Sequence, residues 1–171
     1  MSFASNHTPP NNKPFETIIT ITNPLNSSET ETTRLWPDHC VQGTPGCELV
    51  PELDVDKVDH IVEKGQDKRV EMYSAFADPF RNPTVTRSKL ADTLKEGGIS
   101  HVYVVGLAMD YCVNFTAVDS AKEGFTTYVV REGTKAVDPS NWDNIETQLE
   151  AADVVLVSVD GEEVGRVKNS A

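Results

Sequence analysis

The feature that most constrains this chain is the alternation of elements that begins at Arg87. Arg87 to Lys95 (RSKLADTLK) places Leu90 and Leu94 one helical turn apart, and Gly97-Gly98 supplies the stop. His101 to Gly106 (HVYVVG) is a near-continuous apolar run, as expected of a strand covered on both faces. Val113, Ala117 and Ala121 then recur at helical spacing up to Lys122, Gly124 closes that helix, and Thr126 to Val130 reads as the next strand. Asp138-Pro139 starts a third helix, continued by Trp142, Ile145 and Leu149, and Val154 to Val159 (VVLVSV) is the last strand. Helix, strand, helix, strand, helix, strand in this order predicts an α/β protein built from βαβ units on a parallel sheet.

The upstream half is less regular. Thr8 to Pro14 is a Pro/Asn-rich loop, and Thr17 to Thr22 (TIITIT) is β-branched and short, a strand or an extended arm. The polar stretch 23–34 reads as surface loop. Thr44-Pro45 has the form of an N-cap followed by a first helical position, with Leu49 and Leu53 continuing a short helix. His60 to Glu63 predicts a brief buried strand ending at Lys64-Gly65. With no internal repeat or linker, the 171 residues predict a single domain.

Charge and cysteine content narrow the function. Lys and Arg number 15 against 27 Asp and Glu, a net charge of −12, which argues against nucleic acid or an anionic membrane as partner. No apolar run approaches the roughly 18 residues needed to span a bilayer, and the first residues lack the apolar core of a signal peptide. Three cysteines without a CxxC pair argue against a disulfide framework and a four-cysteine zinc site. The expectation is a soluble, cytoplasmic protein, an enzyme or a small-molecule binder.

Ligands and catalytic groups in open α/β sheets gather at the carboxyl ends of the strands. The segment leaving HVYVVG is Leu107-Ala108-Met109-Asp110-Tyr111-Cys112-Val113, which puts Cys112 at the start of the next helix. The N–H groups and positive dipole end there would stabilise a thiolate and a developing oxyanion. The alternative is a small cysteine that merely packs. Lys64, at the end of its predicted strand, could reach the same sheet edge, or be an ordinary solvated lysine. His39, between Pro37 and Cys40, is a candidate metal ligand or a capped loop residue; one histidine is not a site, because zinc takes three or four protein ligands. Trp36 and Tyr73 could line an aromatic slot or be plain core aromatics.

Four blocks in order carry a resemblance. They are Ser2-Phe3-Ala4-Ser5-Asn6-His7; Leu35-Trp36-Pro37-Asp38-His39-Cys40-Val41 with Gly43-Thr44-Pro45-Gly46; Glu63-Lys64-Gly65 with Glu71-Met72-Tyr73-Ser74-Ala75-Phe76; and Gly106-Leu107-Ala108-Met109-Asp110-Tyr111-Cys112-Val113. Together they resemble the nicotinamidase branch of the isochorismatase-like cysteine hydrolases, most of all the fungal type. The resemblance implies a Rossmann-like three-layer fold with helices on both faces of the sheet. It implies an amidase that converts nicotinamide to nicotinic acid and ammonia in NAD salvage. Cys112 then matches the nucleophile and Lys64 the lysine that pairs with a catalytic aspartate. The N–H groups of Ala108 and Cys112 match the oxyanion hole, with a cis peptide bond before Ala108. Trp36 and Tyr73 match the aromatics that sandwich the pyridine ring, and His39 matches one of three protein ligands to a divalent metal, for which the resemblance implies zinc. A homo-oligomer is compatible with the resemblance.

The family's general base, an aspartate ending the first central strand, has no counterpart here, nor does the Asp-x-His-Pro motif with the other two metal ligands. The expectation is a chain that begins after both and lacks that strand. Two readings follow: a nicotinamidase whose active form is longer, or an inactive short form that binds a ligand or a paralogue.

Overall fold

The structure, a computed structural model, describes residues 2–169. The chain divides into two compact units. One runs through Glu71 and includes Pro79–Val85; the other holds Met72–Asp78 and the chain from Thr86 onward.

The second unit realises the predicted alternation. Its elements are α1 (Leu90–Glu96), β3 (His101–Leu107), α2 (Asn114–Lys122), β4 (Thr126–Lys135), α3 (Trp142–Ala151), β5 (Val154–Val157) and α4 (Glu162–Lys168), with β1 and β2 lying in the first unit. The three strands form a parallel sheet in the order β3-β4-β5. A parallel neighbour can be reached only by a crossover, and α2 and α3 are those crossovers. Side chains alternate across the sheet. Val102, Val104 and Val129 face α2 and α3, where Val113, Ala117, Ile145, Leu149 and Val154 complete the main core. On the opposite face Tyr103 and Tyr128 stack at 4.8 Å, and the Tyr103 hydroxyl donates to the Glu163 carbonyl of α4 at 3.0 Å. Helices therefore lie on both faces, as the resemblance implied.

Three details depart from the sequence reading. β3 is not covered on both faces: Val104 is buried, but Val105 is 58% and Leu107 73% exposed. Within the described sheet β3 is an edge strand, so half its apolar run has no neighbour to pack against. β4 runs on to Lys135 instead of stopping at Val130, and its pairing with β3 jumps from Val104↔Val129 to Gly106↔Thr134. The surplus β4 residues bulge around Val105, and a Cβ at Gly133 would meet the Val105 Cγ1 at 2.7 Å. Finally, α4 was not anticipated, since it is short, interrupted by Gly165 and has few apolar positions. The Asp138 start holds: its carboxylate accepts from the Ser140 N–H at the head of a 3₁₀ turn that leads into α3.

In the first unit Thr17 to Thr22 becomes β1 (Ile18–Asn23), and the supposed loop after it is a second strand, β2 (Asn26–Arg34). The two form an antiparallel hairpin with Ile18 opposite Arg34 and Thr22 opposite Thr30. Polarity concealed β2, because a two-stranded ribbon of Thr, Ser and Glu needs no apolar face, while threonine favours the extended backbone. Asn23 closes the turn by accepting from the Leu25 N–H at 2.9 Å. The predicted helix over Leu49 and Leu53 is absent: only a 3₁₀ turn, Pro45–Cys47, forms, and Thr44 caps nothing with its side chain, which instead donates to the Val41 carbonyl. The predicted buried strand His60–Glu63 is irregular, with Ile61 62% exposed. Among the described residues no helix is long and apolar enough to cross a membrane.

Glu29 anchors the hairpin. Its carboxylate accepts from the Arg81 N–H at 2.7 Å, the Asn23 amide at 2.7 Å and the Asn82 N–H at 3.1 Å. The Arg81 backbone bond, then the Asn23 amide, holds its pKa below the ordinary glutamate value. A carboxyl with a depressed folded-state pKa stabilises the fold above its unfolded pKa, and that contribution disappears as pH falls through the folded value. The hairpin amides are therefore expected to lose hydrogen-exchange protection as pH drops from about 5 towards 2. In Glu29→Gln this pH dependence should flatten, with weaker protection already at neutral pH. An unchanged profile in the variant would dismiss Glu29 as the anchor.

Candidate active site

Cys112 lies in a π-helical turn, Met109–Val113, at the carboxyl end of β3 and directly before α2. Two bonds of the long i to i−5 type define the turn: Val113 N–H to the Ala108 carbonyl, and Asn114 N–H to the Met109 carbonyl. Such wide turns recur at functional sites. Gly106 enters the turn at φ +113, a conformation that strongly favours glycine, and the Leu107–Ala108 peptide bond is cis. The cis bond stands where the resemblance expected it.

Burial in the turn is graded. Met109 is fully enclosed, Asp110 and Val113 are buried, and Tyr111 and Cys112 are half-buried. Met109 and Val113 belong to the main core, so the turn is seated by its own apolar side chains while the thiol stays near the surface. Tyr73, on an irregular segment of the same unit, reaches this turn. Its ring centroid lies 5.3 Å from Tyr111 and 5.4 Å from Phe115, the residues one before and three after Cys112. The unit thus brings together three of the sequence-predicted residues: Cys112, Ala108 at the head of its turn, and Tyr73 against it.

The other three belong to the first unit. Trp36 pairs with Phe3 in a parallel bridge and takes Phe15 edge-on at 5.5 Å. His39 is exposed, 5.3 Å from the Phe3 ring and 6.1 Å from Trp36, so two of the predicted residues share one aromatic group. His39 Nδ1 donates to the Pro37 carbonyl at 2.8 Å, which leaves Nε2 as the ring's acceptor. Lys64 is exposed, on an irregular stretch rather than at the end of a strand.

Among the described residues no group of three or more His, Cys, Asp or Glu stands close enough to hold a metal ion. Zinc requires three or four protein donors, and Asp38, next to His39 in sequence, has its carboxylate accepting from the Ser5 hydroxyl at 2.7 Å. The described residues therefore do not fit a divalent metal.

Two buried polar residues of the turn and of the start of α2 escaped the sequence reading. Asp110 is buried, and its two carboxylate oxygens accept from the Val137 and Asp138 N–H groups, each at 2.9 Å. Asn114 is buried too; its amide donates to Gln148 of α3 at 3.0 Å, while its Oδ1 has no partner. The signal was available: an acid amid the apolar residues of GLAMDYCV needs a reason to be there.

Fold and site together define a parallel-sheet α/β protein that presents a half-buried thiol at a strand-to-helix turn. The chain belongs to the isochorismatase family, whose domain model matches residues 6–160. It is 43% identical over 138 residues to a nicotinamidase of Acinetobacter baylyi, covering 81% of this chain and 58% of that protein. It superposes with a TM-score of 0.83 on the yeast nicotinamidase Pnc1p bound to the inhibitor nicotinaldehyde, at 31% identity over 92% of this chain and 73% of that one. A pyrazinamidase of Pyrococcus horikoshii in complex with zinc gives a TM-score of 0.60 at 34% identity, over 73% of this chain and 64% of that one. The chain spans only about half of several curated relatives: 58%, 53% and 44% of the nicotinamidases of Acinetobacter baylyi, Escherichia coli and Schizosaccharomyces pombe.

Proposed function

We propose that this chain carries the nucleophile of an amidohydrolase that converts nicotinamide to nicotinic acid and ammonia. The observation that carries the reading is the placement of Cys112: half-buried, at the carboxyl end of β3 and the head of α2, beside the Tyr73, Tyr111 and Phe115 rings. In the proposed reaction the Cys112 sulfur attacks the amide carbon and the carbonyl π electrons move onto oxygen. Collapse of that oxyanion breaks the C–N bond, and nitrogen leaves as ammonia after gaining a proton. Water then attacks the thioester, releasing nicotinic acid and returning the thiol. The N–H groups of Ala108 and Cys112 are the proposed oxyanion donors, and Tyr73 one wall for the pyridine ring. Lys64 and Trp36 keep the roles the resemblance assigns them, as proposals to be tested by single substitution, whereas the metal-ligand role of His39 has no partner ligands among the described residues.

A second reading has its own support. With no group of metal ligands among the described residues, the chain could bind a pyridine amide without turning it over. Ammonia release separates the two, and nicotinaldehyde reports on Cys112 under either, since an aldehyde captures a thiol reversibly as a hemithioacetal without any turnover. Under both readings nicotinaldehyde protects Cys112 from iodoacetamide, scored site by site by peptide mass spectrometry. Only the first also predicts ammonia release from nicotinamide. Release without protection would remove Cys112 from the chemistry, and protection without release would select the binding module.

A further inference from the structure

We propose that Asp110 is a positioning residue for the Cys112 thiol, an inference that rests on the reading of Cys112 as nucleophile. Asp110 stands two residues before the cysteine in the same π turn, and its carboxylate is bonded to a different segment. One oxygen accepts the Val137 N–H and the other the Asp138 N–H, both at 2.9 Å, on the segment between β4 and α3. Asp110 is buried, at 8% exposed, and a carboxylate accepting two backbone N–H groups makes charge-assisted bonds stronger than neutral ones. On the far side of the cysteine, Asn114 ties the start of α2 to α3 through Gln148 at 3.0 Å. Cys112 is therefore held between two polar ties to separate pieces of structure. The apolar seat of the turn fixes its depth, and Asp110 fixes its rotation about the end of β3. Side-chain placement within about 0.5 Å is what a nucleophile needs, and Asp110 adds a tie outside the turn to the backbone bonds that close it.

The test reads the thiol directly. Cys40 and Cys47 are exposed residues of the other unit, so their alkylation by iodoacetamide serves as an internal reference. In Asp110→Ala the Cys112 rate, taken relative to Cys40 and Cys47 in the same sample, should change by about tenfold or more. Asp110→Asn keeps one acceptor oxygen and should fall between Ala and the parent. Both are measured well below the unfolding midpoint of each variant, where a merely stabilising residue would leave the ratio alone. With nicotinamide as substrate, kcat should fall in the same order while KM stays within about threefold. If Asp110→Asn folds, melts normally and leaves both the ratio and kcat unchanged, the proposal is overturned. If Cys112→Ala retains turnover, the nucleophile reading fails instead, and the alkylation ratio still reports on whether Asp110 places the thiol.

Discussion

Cys112→Ala is expected, on the proposed reading of the site, to lower nicotinamide-dependent ammonia release by roughly 10³- to 10⁶-fold, the range seen when an attacking atom is deleted from a hydrolase. No other group in the turn can substitute. Met109 and Val113 are enclosed, Asp110 is committed to two backbone donors, and Tyr111 is occupied in the aromatic cluster with Tyr73. The cost to stability should be small, under about 1.5 kcal/mol, because the removed sulfur is only half-buried and the main core does not include it. The two readouts are thus expected to separate: near-normal thermal unfolding, with turnover reduced to background. Cys112→Ser is a sharper control, since it keeps the volume and exchanges a good nucleophile for a poor one. Retention of turnover within about tenfold in either variant would mean that the thiol does not form the bond to carbon.

Much of the second unit could be read from the sequence, and the reason is physical. HVYVVG and VVLV are runs too apolar to be anything but sheet, and Val113, Ala117, Ile145 and Leu149 recur at helical spacing because each is pressed against that sheet. Cys112 was legible from its place between them. In the first unit the β-branched run Thr17 to Thr22 announced β1, but the rest was not legible, for opposite reasons in two places. β2 is a strand without an apolar face, so periodicity had nothing to detect. Leu49 and Leu53 do have helical spacing, but at 49% and 46% exposed they pack on too little to repay the nucleation of a helix. Asp110 was missed for a third reason. Its partners, the Val137 and Asp138 N–H groups, lie 27 and 28 residues away and are backbone atoms, which no pattern of side chains reveals.

Met109→Ala should be the most destabilising change within the site, at about 2–5 kcal/mol. Met109 is 0% exposed and lies in one cluster with Val104, Val113, Ala117, Val129, Ile145, Leu149 and Val154. Truncation to Ala removes the thioether arm from a core shared by β3, β4, α2 and α3, where the parallel ladder fixes the strands and limits how far the walls can close in. A domain of this size has only about 5–15 kcal/mol in total, so urea unfolding should show a clearly lower midpoint. Met109→Leu, which conserves volume, should cost less than about 1.5 kcal/mol. The consequence for the site follows from position: Met109 adjoins Asp110 and lies three residues from Cys112, so a cavity there loosens the seat of the turn as well as the core. Met109→Ala is therefore expected to disturb both stability and Cys112 alkylation, whereas Asp110→Asn should disturb alkylation more than stability. A Met109→Ala protein that loses less than about 1 kcal/mol would show that the turn can collapse into the vacancy. In that case the polar ties of Asp110 and Asn114, rather than the apolar seat, would be what holds the cysteine in place.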